Sequence, residues 1–307
     1  MPFAHNTEQV EHALCELMSV IQHIIKDSQQ KVFWLSVDFR TLIASTGIKH
    51  TEAKEAAYQL LQRTCALLDD DMTLLISTFN FNFPQIGLFD PAKTEAQTGA
   101  FGALLLDSFS DHRVKQPFYS FLVFGAKKES LTREYIAHST GKDSIFDWVV
   151  NHQTQLICIG HHYVKALSSI HHAEQEAGVD YRYVKTFKGQ AVIDNTNVPT
   201  DVETSFCVRD LDTCDFSSLT LAGDNAFRTQ NIVQSYHIAS IRRPLIIHTL
   251  NHLNAHKLMV KNLLSEDTLY VDYDGPNHPC NTVITSKVAD SLYREELSQY
   301  AQKVTEL

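Results

Sequence analysis

The sequence predicts an α/β protein in which a mixed, mainly parallel central sheet is flanked by helices. Two short apolar runs, Val32 to Leu35 and Met72 to Phe79, enclose a helical pattern that begins at Thr51 and continues to Leu68. Strand, helix and strand in this order are typical of a right-handed βαβ unit with parallel strands. A third apolar run, Leu156 to Ile159, ends at Gly160 and has the length and composition of a further buried strand.

The remaining elements follow from periodicity and turn residues. Residues 7–27 predict a helix, because Thr7 is a suitable N-cap and apolar residues recur behind it at helical spacing. Residues 80–115 are rich in proline and glycine and predict a long loop with one short helix at 104–109. No repeat or linker interrupts the chain, which predicts one domain spanning residues 1–307. Further strands are predicted at 118–124, 181–187 and 205–208, and further helices at 144–150, 228–241, 243–256 and after residue 287.

Composition and charge exclude several classes of protein. The 307 residues are 44% hydrophobic and 20% charged, as in ordinary globular domains. A formal net charge of −10 and the lack of a basic stripe argue against nucleic-acid binding. No apolar run approaches the length of a membrane span, and the first residues lack the features of a secretory signal, so we expect a cytoplasmic protein.

The cysteines fit the same compartment. They are scattered and form no CxxC pair, which favours free thiols over a disulfide or zinc framework. The six positions are Cys15, Cys65, Cys158, Cys207, Cys214 and Cys280.

A candidate catalytic pair lies just beyond the third strand. Residues 168–174 predict the start of a helix, and His171 and Glu174 share one face of it at spacing i, i+3. A carboxylate in this position can hold one ring nitrogen and leave the other free to accept a proton. On its own, this spacing on an amphipathic helix usually reflects only a surface ion pair. His172 is an alternative base, and a metal site that adds His161 and His162 is disfavoured because no recognised ligand spacing is completed.

Four segments of the sequence, taken in their order along the chain, resemble the motifs of a known protein family. They are LSVDF at 35–39, STFNFNF at 77–83, FDPAKTEAQTG at 89–99 with RVKQPFYSFLVFG at 113–125, and SSIHHAEQEAGVDYRYVKTFKG at 168–189. In this order and at these separations they resemble the aminoglycoside 3-N-acetyltransferase family. The resemblance covers residues 31–190, and residues 191–307 are expected to complete the fold and the acceptor pocket.

Departures from the family pattern suggest a branch within it. Asp38 stands where drug-modifying members carry a small or polar residue, Ser77 replaces a proline, and Gln116 replaces a histidine. These differences resemble members that acylate amino groups of nucleotide-linked sugars for surface polysaccharides such as O-antigen or capsule. Two alternatives remain open. They are acetylation of an aminoglycoside, for which the net charge of −10 suits a polycation, and a catalytically silent binding homologue.

The resemblance implies a reaction and a set of site residues. It implies direct transfer of an acetyl group from acetyl-CoA to a primary amine in a ternary complex, with His171 as general base, Glu174 orienting it and no metal. The expected partners are two small molecules, acetyl-CoA and a nucleotide-linked amino sugar, without nucleic acid or membrane, and a homodimer is left open. The resemblance places coenzyme contacts at Ser36, Thr78, Arg113, Ser120 and Gly125, and acceptor contacts at Asp38, Asn80, Asn82 and Asp90.

Overall fold

A computed structural model describes residues 4–194, 196–213, 216–239, 241–265, 271–272 and 284–305. Its strands, in chain order, are β1 (Val32–Val37), β2 (Thr73–Ser77), β3 (Leu88–Phe89), β4 (Phe121–Gly125), β5 (Gln155–Ile159), β6 (Arg182–Ala191), β7 (Thr200–Arg209), β8 (Phe216–Ser217), β9 (Val233–Ile238), β10 (Leu245–Asn251) and β11 (Val271–Asp272). Its helices are α1 (Ala4–Asp27), α2 (Phe39–Thr46), α3 (Ala53–Cys65), α4 (Phe83–Ile86), α5 (Ala100–Phe109), α6 (Lys128–Arg133), α7 (Ile145–Asn151), α8 (Ile170–Ala177), α9 (Leu221–Thr229), α10 (His252–Leu264) and α11 (Ser286–Thr305).

A six-stranded sheet in the order β4-β2-β1-β5-β10-β9 forms the centre of the fold. The pairs β1–β2 and β1–β5 are parallel, and antiparallel strands extend this parallel centre at both edges. The predicted fold class is confirmed. The parallel strands β2, β1 and β5 therefore bring their carboxyl ends together at one edge, which is where open α/β sheets bind ligands.

Apolar layers cover both faces of this sheet. Phe33 and Leu35 pack into one layer with α1, α2 and α3, whereas Trp34 packs into the other. The Trp34 ring meets the Phe121 ring edge-on at 4.9 Å and stacks on the His252 ring at 5.1 Å. A strand buried on both faces reads as a continuous apolar run, which explains why β1 lacks polar alternation.

A smaller sheet in the order β3-β6-β7 stands beside the main one. The strands β6 and β7 form a long antiparallel hairpin in which Arg182 is paired with Arg209. This hairpin contacts α8 and so reaches the element that carries His171.

Two predicted helices are wrong. Residues 228–241 contain the end of α9 and then strand β9, and residues 243–256 contain strand β10 before α10 begins. Strand β10 is buried on both faces between β5 and β9. A short strand that is buried on both faces has no alternation of exposed polar residues that would distinguish it from a buried helix.

Helices α2, α4 and α6 were not predicted from the sequence, and α2 is the one that borders the ligand-binding edge. Helix α2 starts directly after β1 because the Asp38 carboxylate accepts hydrogen bonds from the backbone N–H groups of Arg40 (3.1 Å) and Thr41 (3.0 Å). The helix ends at Gly47, whose φ of +82° is left-handed. Asp38 thus fixes where the chain turns at the ligand-binding edge.

The structure also describes the state of four cysteines and the length of the helices. Cys15, Cys65, Cys158 and Cys207 are free thiols, whereas Cys214 and Cys280 lie outside the described residues. Within the described part of the chain, no helix combines the length and apolar character needed to cross a membrane.

Candidate active site

The histidine–glutamate pair forms in the first turn of α8. His171 Nδ1 lies 2.7 Å from Glu174 Oε2. The Glu174 side chain is fully buried, whereas the His171 side chain keeps 20% of its surface exposed. The i, i+3 spacing therefore produces a contact in which only the imidazole reaches solvent.

Glu174 is fixed by two further groups from the start of β6. Arg182 Nε lies 2.6 Å from Glu174 Oε2, and the Tyr181 hydroxyl donates to Glu174 Oε1 at 3.3 Å. The guanidinium favours the carboxylate form of Glu174, which can only accept hydrogen bonds. His171 Nδ1 must then carry the proton, and its Nε2 holds a lone pair that no hydrogen bond within the described residues occupies.

The electrostatic surroundings keep His171 neutral. Burial lowers the pKa of His171, and the nearby guanidinium of Arg182 lowers it further, against the opposing effect of Glu174. Arg209 acts in the same direction as Arg182. Neutral imidazole is the form that accepts a proton, so the ring suits general-base catalysis at neutral pH.

His172 points to a different environment. Its Nδ1 accepts a hydrogen bond from the Gly141 N–H at 3.0 Å, and its ring stacks on His256 at 4.9 Å. His172, Glu176 and His256 place ligand-type atoms within 4.8 Å of one another. A hydrogen bond of 2.8 Å between Glu176 and His256 already occupies two members of this group.

A cavity of about 680 Å³ opens at the carboxyl ends of β1, β2 and β5. Of the predicted site residues, Ser36 and Asp38 line it. Ser168 also lines it, three residues before His171, and so connects the cavity with the start of α8. The sequence analysis missed four further contributors, which are Arg40, His161, Lys165 and the amino-terminal end of α5.

The cavity wall carries two cationic side chains in addition to the carboxylate of Asp38. Arg40 and Lys165 both line it, and Lys165 also pairs with Asp290 of α11 at 3.0 Å. Gly99 has a φ of +84° and offers no side-chain cap to α5, and the first residues of this ten-residue helix line the cavity, which places the positive end of the helix dipole there. Such a wall suits an anionic ligand.

Arg113, Thr78 and Ser120 form a buried cluster that does not line the cavity. Arg113 donates to the Ser120 hydroxyl at 3.0 Å and to the Thr78 carbonyl at 2.7 Å, and it also donates to the carbonyls of Pro91 and Thr94. Its bonds tie the loop after β3 to β2 and β4. This geometry favours a structural role for Arg113 over the coenzyme contact that the resemblance implied.

Replacing Arg113 by methionine is expected to lower the free energy of unfolding by about 2–4 kcal/mol, because three carbonyls and one hydroxyl, buried or partly buried, lose their donor. Urea denaturation measures the loss. The exposed Arg133, replaced in the same way, is a matched control and should change stability by less than about 0.5 kcal/mol. Equal stability of the two variants would contradict this role.

Three predicted acceptor contacts instead organise loops. The Asn80 amide donates to the Glu95 carbonyl at 3.0 Å and accepts from the Asn82 N–H at 2.9 Å. Asp90 accepts from the Ala92 N–H at 2.9 Å. None of the three lines the cavity.

Gly125 needs a correction. It is paired with Thr73 at the amino end of β2, whereas the cavity lies at the carboxyl end. Strand β4 runs antiparallel to β2, so a residue at its end lies at the opposite edge of the sheet. Gly125 is therefore not brought to the coenzyme site that the sequence implied.

The α/β fold carries a histidine that is held by a buried carboxylate, and next to it a cavity with cationic side chains at the strand ends. Together these features define an enzyme of the group-transfer class. A model of the family described as aminoglycoside 3-N-acetyltransferase matches residues 78–244, more than half of the chain, and the chain belongs to this family. The prediction of an acyl-CoA-dependent N-acetyltransferase that uses acetyl-CoA as co-substrate is thereby confirmed. No curated protein matches the chain.

Solved structures share the fold at low identity. The YokD protein from Bacillus subtilis is 12% identical with a TM-score of 0.55, and the match covers 81% of this chain and 99% of that one. Aminoglycoside acetyltransferase AAC(3)-Xa is 13% identical (TM-score 0.57, 81% and 92% covered). AAC-IIIb, solved with CoASH, is 14% identical (TM-score 0.57, 81% and 96% covered).

Proposed function

We propose that this protein, acting as a single domain, transfers an acetyl group from acetyl-CoA to a primary amine of a nucleotide-linked amino sugar. The single observation that supports the acceptor class is a pair of arginines beside the base. Arg182 and Arg209 are paired across the β6–β7 hairpin, and both lower the pKa of His171.

These arginines give the acceptor side a positive character. The carboxylate of Glu174 balances Arg182, whereas the buried Nε of Arg209 has no hydrogen-bond partner in the described structure. The guanidinium of the half-buried Arg209 can pair with a diphosphate or carboxylate on the acceptor. A polycationic drug would instead meet like charge.

His171 serves as the base in this proposal. The acceptor arrives as an ammonium and must lose a proton before its nitrogen can attack the thioester carbonyl. His171 Nε2 takes that proton, and Glu174 stabilises the imidazolium that forms. The amine then forms the amide bond, the carbon–sulfur bond breaks, and the coenzyme leaves as a thiol after protonation.

The cavity at the strand ends is proposed to hold the coenzyme. Arg40, Lys165 and the start of α5 suit its phosphates, and Ser36 and Asp38 lie on the wall near the thioester. The AAC-IIIb structure, which shares the fold, was solved with CoASH, and this supports coenzyme binding by a protein of this fold. Arg40 thus takes the phosphate role that the sequence gave to Arg113. A cytoplasmic location follows from these substrates.

A second acceptor class has its own support. AAC-VIa, 12% identical to this chain with a TM-score of 0.57, was solved with bound sisomicin, and the net charge of −10 favours attraction of a polycation. Acetylation of an aminoglycoside is therefore the alternative that the same test must address.

Thiol release from acetyl-CoA with UDP- and dTDP-linked amino sugars and with kanamycin-type aminoglycosides distinguishes the two. We expect turnover with a nucleotide sugar only, and a rise in its KM of at least about tenfold in Arg209→Gln, from loss of one charged hydrogen bond. The exposed Arg133→Gln is the matched control. Turnover with the drugs alone would overturn the sugar proposal.

A further inference from the structure

The cavity contains a second pair of groups that the amine-transfer reaction does not use. Ser36 is the penultimate residue of β1, and His161 follows the end of β5. Ser36 Oγ lies 3.0 Å from His161 Nε2, and both residues line the cavity. Because β1 and β5 are parallel neighbours, their carboxyl ends hold the two side chains together on rigid strands.

The hydrogen bonds around His161 define its tautomer. His161 Nδ1 lies 3.0 Å from the backbone carbonyl of His162, which can only accept, so Nδ1 carries the proton. His161 Nε2 then has the lone pair, and the Ser36 hydroxyl donates to it. The arrangement is nucleophile, base and orienting acceptor, with a backbone carbonyl in the place of a carboxylate.

Two surrounding features keep this pair ready to react. His161 is only 6% exposed, and burial lowers its pKa to about 4, so the ring is neutral at physiological pH. The His161 carbonyl lies 3.1 Å from Nδ1 of the buried His248, which holds the backbone in place. The base therefore needs no rearrangement before it accepts the serine proton.

The same cavity offers donors for an oxyanion. The start of α5 packs so closely on the end of β2 that a Cβ at Gly102 would lie 2.1 Å from the Ser77 carbonyl oxygen. Ser77 follows Ile76, which is paired with Leu35, the residue before Ser36. The first residues of α5 and Ser36 line the same cavity, so the positive end of this helix is available to the negative oxygen of a tetrahedral intermediate.

We propose that Ser36 and His161 are a nucleophile and base that take the acetyl group from acetyl-CoA onto Ser36 and release it to water. Ser36 Oγ attacks the thioester carbonyl while its proton passes to His161 Nε2. The carbon–sulfur bond breaks, and the coenzyme leaves as a thiol with that proton. Water then attacks the serine ester, again losing a proton to His161, and acetate leaves as the Ser36 hydroxyl is restored. The proposal rests on the coenzyme site proposed above.

Incubation with radiolabelled acetyl-CoA in the absence of any amine tests this. We expect thiol release without an acceptor and, after acid quenching, one acetyl group on the peptide that carries Ser36. Ser36→Ala and His161→Gln should each lower acceptor-free thiol release by at least about 100-fold. Isothermal titration with CoA reports whether each variant keeps the coenzyme site.

A matched control is a serine–histidine hydrogen bond that lies outside the cavity. Ser205 Oγ lies 3.0 Å from His138 Nδ1, so Ser205→Ala removes an equivalent serine–histidine contact and should leave the release unchanged. Wild-type protein that acetylates amines but carries no acetyl group on Ser36 would overturn this proposal and leave the proposed function intact. Failure of the wild-type protein to bind CoA would overturn both.

Discussion

Replacing His171 by alanine is expected to lower kcat for amine acetylation by at least about 100-fold, because general-base catalysis typically contributes about 10²–10⁴-fold. CoA binding should survive, since His171 is not among the residues that line the cavity. Steady-state kinetics with a responsive amine acceptor measure the first effect, and isothermal titration measures the second. A variant with full activity would show that another group removes the proton.

His172→Ala is the matched control for this substitution. Its ring is occupied by the Gly141 N–H and by stacking on His256, so its loss should affect stability more than kcat. Glu174→Gln should follow His171→Ala, because an amide cannot stabilise the imidazolium as a carboxylate does. The opposite order of the two histidine variants would mean that the neighbouring ring is the base.

The pH dependence offers a further check on His171. Its pKa is lowered, chiefly by burial and then by Arg182, so the acid limb of kcat/KM should lie below the ordinary histidine value of 6.5. In Arg182→Gln one of these effects is removed, and the limb should move to higher pH. An unchanged limb in that variant would show that the titrating group is not His171.

Acidification from pH 7.5 to pH 5.0 is expected to destabilise the folded protein by several kcal/mol. Burial lowers the pKa of His161 and His172 to about 4 and that of His162 and His252 to about 3. These groups stay neutral when folded but protonate near 6.5 once unfolded. At a pH between the folded and unfolded pKa values, the unfolded state binds more protons than the folded state. As the pH is lowered through this range, the free energy of unfolding decreases by up to about 1.4 kcal/mol per pH unit for each histidine.

Urea denaturation at both pH values measures the loss. His252→Phe is an informative variant, because the ring stacks on Trp34 and its buried Nε2 has no hydrogen-bond partner in the described structure. This variant should show a shallower loss. Glu296 does not affect this measurement. Burial raises its pKa, but hydrogen bonding to His248 opposes burial, and the pKa is lowered overall. Its contribution to the free energy of unfolding is therefore lost only below pH 4.5. Equal stability at pH 7.5 and 5.0 would contradict the prediction.

Local patterns in the sequence were sufficient for the elements that depend on near neighbours. The helices and strands predicted within the first 160 residues all form in the predicted order, although α2, α4, β3 and α6 lie between them unpredicted. The contact between His171 and Glu174, which follows from their i, i+3 spacing, also forms. The order of four motifs was enough to indicate the family that the comparison of residues 78–244 confirms.

The residues that line the cavity were predicted less well, because their positions depend on contacts between distant segments of the chain. The family resemblance implied that Arg113 contacts the coenzyme. Its guanidinium instead donates hydrogen bonds to carbonyls of a loop some twenty residues upstream and to the Thr78 carbonyl. Arg40, which the sequence did not single out, lines the cavity because the Asp38 cap begins α2 at that point. Which arginine faces a ligand depends on how strands are paired, and no local pattern records that pairing.

By itself, the sequence determined the α/β class, the family and the histidine–glutamate pair, because each depends on residues within a few turns of one another or on motifs kept in order. Only the tertiary structure decided that β9 and β10 are strands, that Gly125 lies at the far edge, and that Ser36 meets His161 across 125 positions of chain. Those outcomes follow from the sheet order, which is set by burial summed over the whole domain and not by any one segment.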